Sequence, residues 1–312
     1  MTTARAVGIT QPGGPEVVRV IEREVREPAP GEVRLRVRAA AVNPTDIGLR
    51  QLGAEGLPPP WVPGMDAAGV VESVGAGVEH VAVGDEAMAA VLPRRPEGGA
   101  QAELVVVPAA SVVPVPDGMP LEQAATLPMN GLTALQGLDL LGLVEGETLL
   151  VTGGAGLLAS YVIPIARRRG LRVLADATPQ DEALVRGFGA DVVLPRGSGL
   201  AAAVRGVAPE GVDAVFDTAL LRRDVFPAIR EGGSIAVVRT WDGADVEQGI
   251  RIERVQVWTA LERTDWLWEV RQLAHEGVLV PRVAGTYPPE AAADAQRRME
   301  AGGLRGRAVI VF

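Results

Sequence analysis

The chain contains no cysteine. Disulfides, thiol nucleophiles and thiolate-held zinc are therefore excluded together. Lysine is absent as well, so all 30 basic residues are arginine. That removes Schiff-base chemistry and the phosphate-binding lysine of a P-loop. There are two histidines, His80 and His275, one read in a loop and one at a helix end. No three-ligand catalytic metal site is expected from them. A basic excess is missing too. The formal net charge is −9, and polyanion binders need a cationic face, so no nucleic-acid partner is expected. No apolar run is long enough to span a bilayer, and MTTARAVGIT lacks a signal-peptide core. The expectation is a cytoplasmic protein with no membrane partner.

What is present suits a folded globular chain: 47% hydrophobic and 22% charged residues over 312 positions, about two domains' worth. Residues 1–120 read as short strands between turns. Ala4–Ile9, Val17–Glu22, Glu32–Ala41, Ala67–Val74 and Glu103–Val107 are β-rich, and helical periodicity is almost absent. Val33 to Arg38 alternates apolar and charged residues, which predicts a strand with one wet face. The reading is a small barrel-like β domain. From residue 121 the pattern changes. An Ala/Leu-rich helical connector, broken at Pro128, leads into alternating strands and helices. Strands are expected near 149–152, 172–176, 191–194, 212–216 and 234–238, with helices near 157–169, 180–188, 198–206 and 221–230 between them. That order predicts an α/β fold with a doubly wound parallel sheet over residues 121–279. An alternating strand, Ile250–Trp258, is placed at its edge, and a helix near 262–276 follows. A terminal helix (Pro289–Glu300) and strand (Ala308–Phe312) return to complete the first domain with residues 280–312.

The stretch from Thr148 to Asp176 organises the second domain. Leu149–Val151 form a buried run, Gly153, Gly154 and Gly156 follow at once, and apolar residues then recur at helical spacing as far as Arg169. A strand, a glycine turn and a helix in that order direct backbone N–H groups at a pyrophosphate. A full glycine fingerprint has a glycine where Leu157 stands and another where Ala159 stands.

Several motifs occur in order: Asn43-Pro44-Thr45-Asp46, Gly64 to Val71, Gly75 to Val78, Gly84-Asp85, Leu127 to Ala134, the 149–160 turn, and Gly302 to Val309. Together they resemble the zinc-free quinone oxidoreductase branch of the medium-chain dehydrogenase/reductase superfamily. The resemblance spans essentially the whole chain. It implies a GroES-like β-barrel domain beside a Rossmann domain, with the cofactor in the cleft between them. It also implies hydride transfer from NADPH or NADH to a small-molecule quinone or enone, and no metal. By the same resemblance Asn43 and Asp46 border the reacting groups as catalytic candidates. Thr133 contacts the nicotinamide side, and Gly153, Ala155, Gly156, Leu157 and Leu158 form the pyrophosphate turn. Asp217 and Val238 end strands that line the cofactor, and Arg307 lies near its phosphates. Arg239 and Trp241 follow the fifth strand at the substrate mouth.

Three departures qualify the match. Leu157 replaces a glycine, no tyrosine follows Asp46 closely, and Asp181 stands where a basic residue would meet a 2′-phosphate. Thr178 is a donor to such a phosphate, whereas Asp176 suits a ribose hydroxyl, so preference between NADPH and NADH stays open. Two alternatives follow. One is a dedicated enoyl reductase or non-redox tailoring enzyme on the same scaffold with weakened cofactor binding. The other is a non-catalytic cleft-binding sensor. The edge strand Ile250–Trp258 also suits pairing across a two-fold, giving a homodimer.

Overall fold

A computed structural model describes residues 2–312. The chain forms two compact units. One contains residues up to Met129, Leu261–Gly277 and Pro281–Phe312, and the other contains Asn130–Ala260 and Val278–Val280.

The first unit carries strands β1 (Thr2–Ile9), β2 (Val18–Val25), β3 (Glu32–Ala41), β4 (Asp66–Val74), β5 (Glu86–Ala90), β6 (Leu104–Pro108) and β7 (Val112–Pro114). From the far end of the chain come β15 (Val283–Tyr287) and β16 (Arg307–Val311). β1 and β2 pair as a ribbon. The main sheet runs β15-β16-β3-β4-β5-β7, with β6 also paired to β3. Alternation builds β3 as expected: Val33, Leu35 and Val37 are buried, while Arg36 and Arg38 are exposed. Arg34 is the exception. It is buried because its guanidinium donates to Glu27 at 2.7 Å and Glu72 at 2.5 Å. The expected return of the C-terminal strand is present, with Val309 opposite Ala41.

One α-helix occurs where none was read. α1 (Pro44–Leu52) grows directly from the Asn43-Pro44 step, with Asn43 as N-cap and proline in the first turn. That arrangement is favourable at helix starts, because proline lacks only an N–H that would be unpaired there. α2 (Leu121–Ala124) and α3 (Pro128–Leu141) form the connector, parted near Pro128 as expected.

The second unit is a sheet in the order β10-β9-β8-β11-β12-β14-β13. Its strands are β8 (Thr148–Thr152), β9 (Arg172–Ala177), β10 (Val192–Pro195), β11 (Val212–Asp217), β12 (Ile229–Val237), β13 (Val246–Glu247) and β14 (Ile250–Arg254). All pairings are parallel except β13 with β14. Helices α4 (Ala159–Arg168), α5 (Glu182–Gly187) and α6 (Leu200–Val207) link the early strands. Residues 222–228 are a 3₁₀ turn rather than the expected α-helix, with Pro227 removing a donor inside it. Leu150, Leu174, Val215, Ile235 and Phe226 belong to the core of this unit.

Two expectations change. The strand near 250 ends at Arg254 and is not the edge, since the two-residue β13 pairs outside it. Helix α7 (Thr264–His275) groups with the first unit. Thr264 Oγ1 donates to Ala110 O at 2.7 Å and Arg271 Nε to Pro114 O at 3.1 Å, which ties it to the end of the β domain. α8 (Ala292–Glu300) precedes β16. Among the described residues no helix is long and apolar enough to cross a membrane.

Candidate functional site

In a doubly wound sheet, ligands bind outside the carboxyl ends of the strands where the strand order reverses. Here that place is β8, flanked by β9 on one side and β11 on the other. The Thr152 hydroxyl at the end of β8 donates to Asp217 Oδ1 at 2.6 Å and accepts the Ala219 N–H at 3.1 Å. Thr218 Oγ1 donates to Thr152 O at 2.6 Å. Asp217 is 1% exposed and also accepts the N–H groups of Leu221 and Arg222, at 3.0 and 2.7 Å. It therefore holds the loop after β11, in which Leu220 and Arg222 sit at φ 61° and 54°, a region that ordinary side chains disfavour.

The glycine turn follows β8. Gly153 has φ 67°, and an added Cβ there would stand 3.0 Å from Thr218 Oγ1. At Gly154 a Cβ would stand 2.6 Å from Asp176 O. Both glycines thus serve close approach of the turn to its neighbours. Beyond them the N–H groups of Leu157, Leu158 and Ala159 have no acceptor among the described residues. They open the ten-residue α4, whose first turn holds no acidic side chain. Free N–H groups and the positive end of the helix dipole together make an anion site. The Leu157 side chain, expected to crowd a phosphate, is 2% exposed and lies inside the protein. Leu158 is half-buried and Ala155 buried.

At the end of β9 the acidic cluster is organised differently from its appearance in sequence. Asp176 is 2% exposed, and its Oδ1 accepts the Gly153 N–H and, at 3.4 Å, the Gly154 N–H. Burial pushes its carboxyl above the ordinary range, opposed by those N–H bonds and by Arg196. Thr178 Oγ1 donates to Asp181 Oδ2 at 2.7 Å, and Asp181 stands at the N-cap position of α5 while 9% exposed. Arg196 had no signal in the sequence. Parallel pairing of β10 with β9 brings it there, with its N–H on Ala177 O at 3.0 Å and its Nε 4.0 Å from Asp176 Oδ2.

In the first unit, Asn43 and Asp46 are brought together in a buried polar network. Asp46 Oδ1 accepts the Gly64 N–H at 2.9 Å, and Oδ2 accepts the Asn43 N–H at 2.8 Å and Gln101 Nε2 at 3.2 Å. Asn43 Nδ2 donates to Asp66 Oδ2 at 2.6 Å, and Asp66 Oδ1 accepts the Met129 N–H at 2.6 Å. Arg307, expected near the cofactor phosphates, donates Nε to Asn43 Oδ1 at 2.8 Å. Burial raises the Asp46 carboxyl to about 7 and Asp66 to about 6. N–H donors and the Arg307 charge oppose both shifts, and Asp66 adds to that of Asp46. Asp66 and Gln101 were missed from sequence. Asp66 lies within a quoted motif, but only the fold shows that it faces Asn43.

The remaining candidates separate. Thr133 is buried on α3. Val238 is half-buried just beyond β12, and Arg239 is exposed with no hydrogen bond or ion pair among the described residues. Trp241, expected at the substrate mouth, is buried. It is 6% exposed in the core of the second unit, tilted against Phe226 at 6.1 Å, with Arg223 over its ring at 4.5 Å. Its indole N–H donates to Ala244 O at 3.2 Å, so burial leaves no polar group unpaired.

Comparison with known proteins agrees with this architecture. Residues 29–117 match the family described as alcohol dehydrogenase GroES-like domain, and residues 188–310 that described as zinc-binding dehydrogenase. The chain is 30% identical over 312 residues to the chloroplastic NADPH-dependent alkenal/one oxidoreductase of Arabidopsis thaliana, covering 96% of this chain and 77% of that one. The chain belongs to the medium-chain dehydrogenase/reductase superfamily. Two solved structures of similar fold frame the cofactor question for this superfamily member. An NAD-dependent alcohol dehydrogenase superposes with TM-score 0.85 at 31% identity over 99% of both chains. A mycobacterial protein complexed with NADPH also gives 0.85, at 28% identity over 99% of this chain and 100% of that one. The second family description names zinc. Among the described residues of this superfamily member, no three His, Cys, Asp or Glu side chains are grouped to hold a metal ion.

Proposed function

We propose that the protein is a metal-independent, nicotinamide-dependent reductase of small-molecule quinones or α,β-unsaturated carbonyls. The observation that carries this reading is the row of free N–H groups at Leu157, Leu158 and Ala159, at the carboxyl end of β8 where the strand order reverses. Those donors fit a pyrophosphate, and the adjoining Thr152–Asp217 brace holds the turn in place. When bound, the reduced nicotinamide supplies the hydride. The acceptor then needs one proton. The oxygens of Asp46 already accept N–H bonds, so Asn43 and Asp46 act here as positioning residues and water supplies that proton. The family relative named for NADPH-dependent reduction of alkenals and alkenones supports this acceptor class. A cysteine-free chain with two histidines supports chemistry without zinc. We read the protein as cytoplasmic, since it relies on no disulfide, and as a homodimer joined through the β13 edge.

The alternative of a dedicated enoyl reductase or tailoring enzyme with weakened cofactor binding rested on Leu157, Asp181 and the missing tyrosine after Asp46. Leu157 and Asp181 are both buried, which removes two of its three grounds for weakened cofactor binding. The test is acceptor-dependent loss of dihydronicotinamide absorbance with NADPH and with NADH, across several quinones and enones. Steady turnover is expected with at least one pair. No turnover with any pair overturns the reading.

A further inference from the structure

The acidic segment Asp176–Glu182 argues from sequence against a cofactor bearing a 2′-phosphate. The structure rearranges that charge. Asp181 is capped by the Thr178 hydroxyl and almost fully buried, and Asp176 turns its Oδ1 back to the N–H groups of Gly153 and Gly154. The outer oxygen of Asp176 faces Arg196. Arg196 has a half-exposed side chain, and among the described residues its guanidinium has no hydrogen bond or ion pair other than this 4.0 Å contact. The nearby Arg186, by contrast, is held by Glu182 at 2.7 Å.

The order of sites follows the order of strands. The free N–H groups stand at the end of β8, Asp176 ends the next strand, and Arg196 leaves the strand after that. Neighbouring strands lie about 4.8 Å apart, so Arg196 is roughly two strand spacings, about 10 Å, from the turn that would hold the pyrophosphate. An adenosine ribose extending from that turn toward β10 would point its 2′ position at the arginine. Guanidinium is the side chain best suited to a phosphate, because its planar fork donates two parallel N–H bonds.

We propose that Arg196 reads the 2′-phosphate of NADPH and is the specificity-determining residue for that cofactor in this chain. The inference rests on the nicotinamide reading above and deepens it. Binding of NADPH, NADH, 2′,5′-ADP and 5′-ADP is measured calorimetrically on wild type, Arg196→Gln and Arg196→Lys, with folding checked by urea midpoint. Arg196→Gln is expected to raise the Kd for NADPH and 2′,5′-ADP by roughly 10- to 100-fold, the weight of a charge-assisted hydrogen bond. It should leave NADH and 5′-ADP within about threefold, and Arg196→Lys should recover part of the loss. Equal weakening for NADPH and NADH, no weakening for either, or a wild type that prefers NADH overturns the assignment of Arg196 alone. A wild type that binds none of the four overturns the nicotinamide reading itself, and this inference with it.

Discussion

Asp217 shows how much one buried carboxylate can organise. Three donors converge on it from Thr152, Leu221 and Arg222, and the last two belong to a loop with two left-handed, non-glycine residues. Removing the acceptor strands those donors and releases the strained loop. Asp217→Ala is expected to lower stability by about 3 kcal/mol, with Asp217→Asn milder because one oxygen remains. Urea unfolding checks this, and an unchanged midpoint for Asp217→Ala would refute the brace. Residue type and position at a strand end were legible for Asp217 and Asp176. The direction in which each side chain turns was not. Asp176 was read as facing a ribose, yet it accepts N–H bonds from the turn two strands' ends share. Trp241 was read at the substrate mouth because it follows a strand, but its ring completes a core that is assembled from distant residues.

Among elements, the parallel strands and their helices were legible because fully buried strands leave continuous apolar runs. α1 was overlooked, although an asparagine followed by proline and an acidic third position is a helix-start pattern. β13, β15 and the 3₁₀ turn at 222–228 are short and carry no periodicity. The brace beneath α1 has a pH signature. Asp46 and Asp66 hold their protons more tightly when folded than in an unfolded chain, where the value is 3.8. Their contribution to stability is thus fully present below about pH 4 and declines as pH rises through about 6 and 7, with a slope of up to about 1.4 kcal/mol per unit for each group. Asp46→Asn cannot ionise, so its stability relative to wild type should improve from pH 5 to pH 8. A difference that is flat from pH 5 to pH 8 shows Asp46 to be ionised throughout that range, and one that moves the other way equally overturns the prediction.

At the scale of the whole molecule, fold class and the returning C-terminal strand were readable from motif order. Which helix belongs with which unit was not, because α7 joins the β domain through contacts with residues 110 and 114 that lie far away in sequence. The sheet of the second unit ends in β13, two residues long, of which Val246 is exposed. As the edge strand it presents unpaired backbone groups on its outer side, and its shortness limits how many a second copy can pair with. Sedimentation equilibrium is expected to give a dimer that Val246→Lys weakens at least tenfold. A monomeric wild type would exclude this assembly.

The pairing of β16 with β3 makes synthesis and folding run out of order. Arg307 and Asn43 are 264 residues apart, yet they share a hydrogen bond at the centre of the first unit. At about 5–20 residues per second on the ribosome, that partner arrives roughly a quarter of a minute to a minute after Asn43. The second unit is translated in full during that interval. The part of the protein that begins first therefore closes last, and the nascent chain carries an open sheet edge at Ala39–Ala41 while it waits.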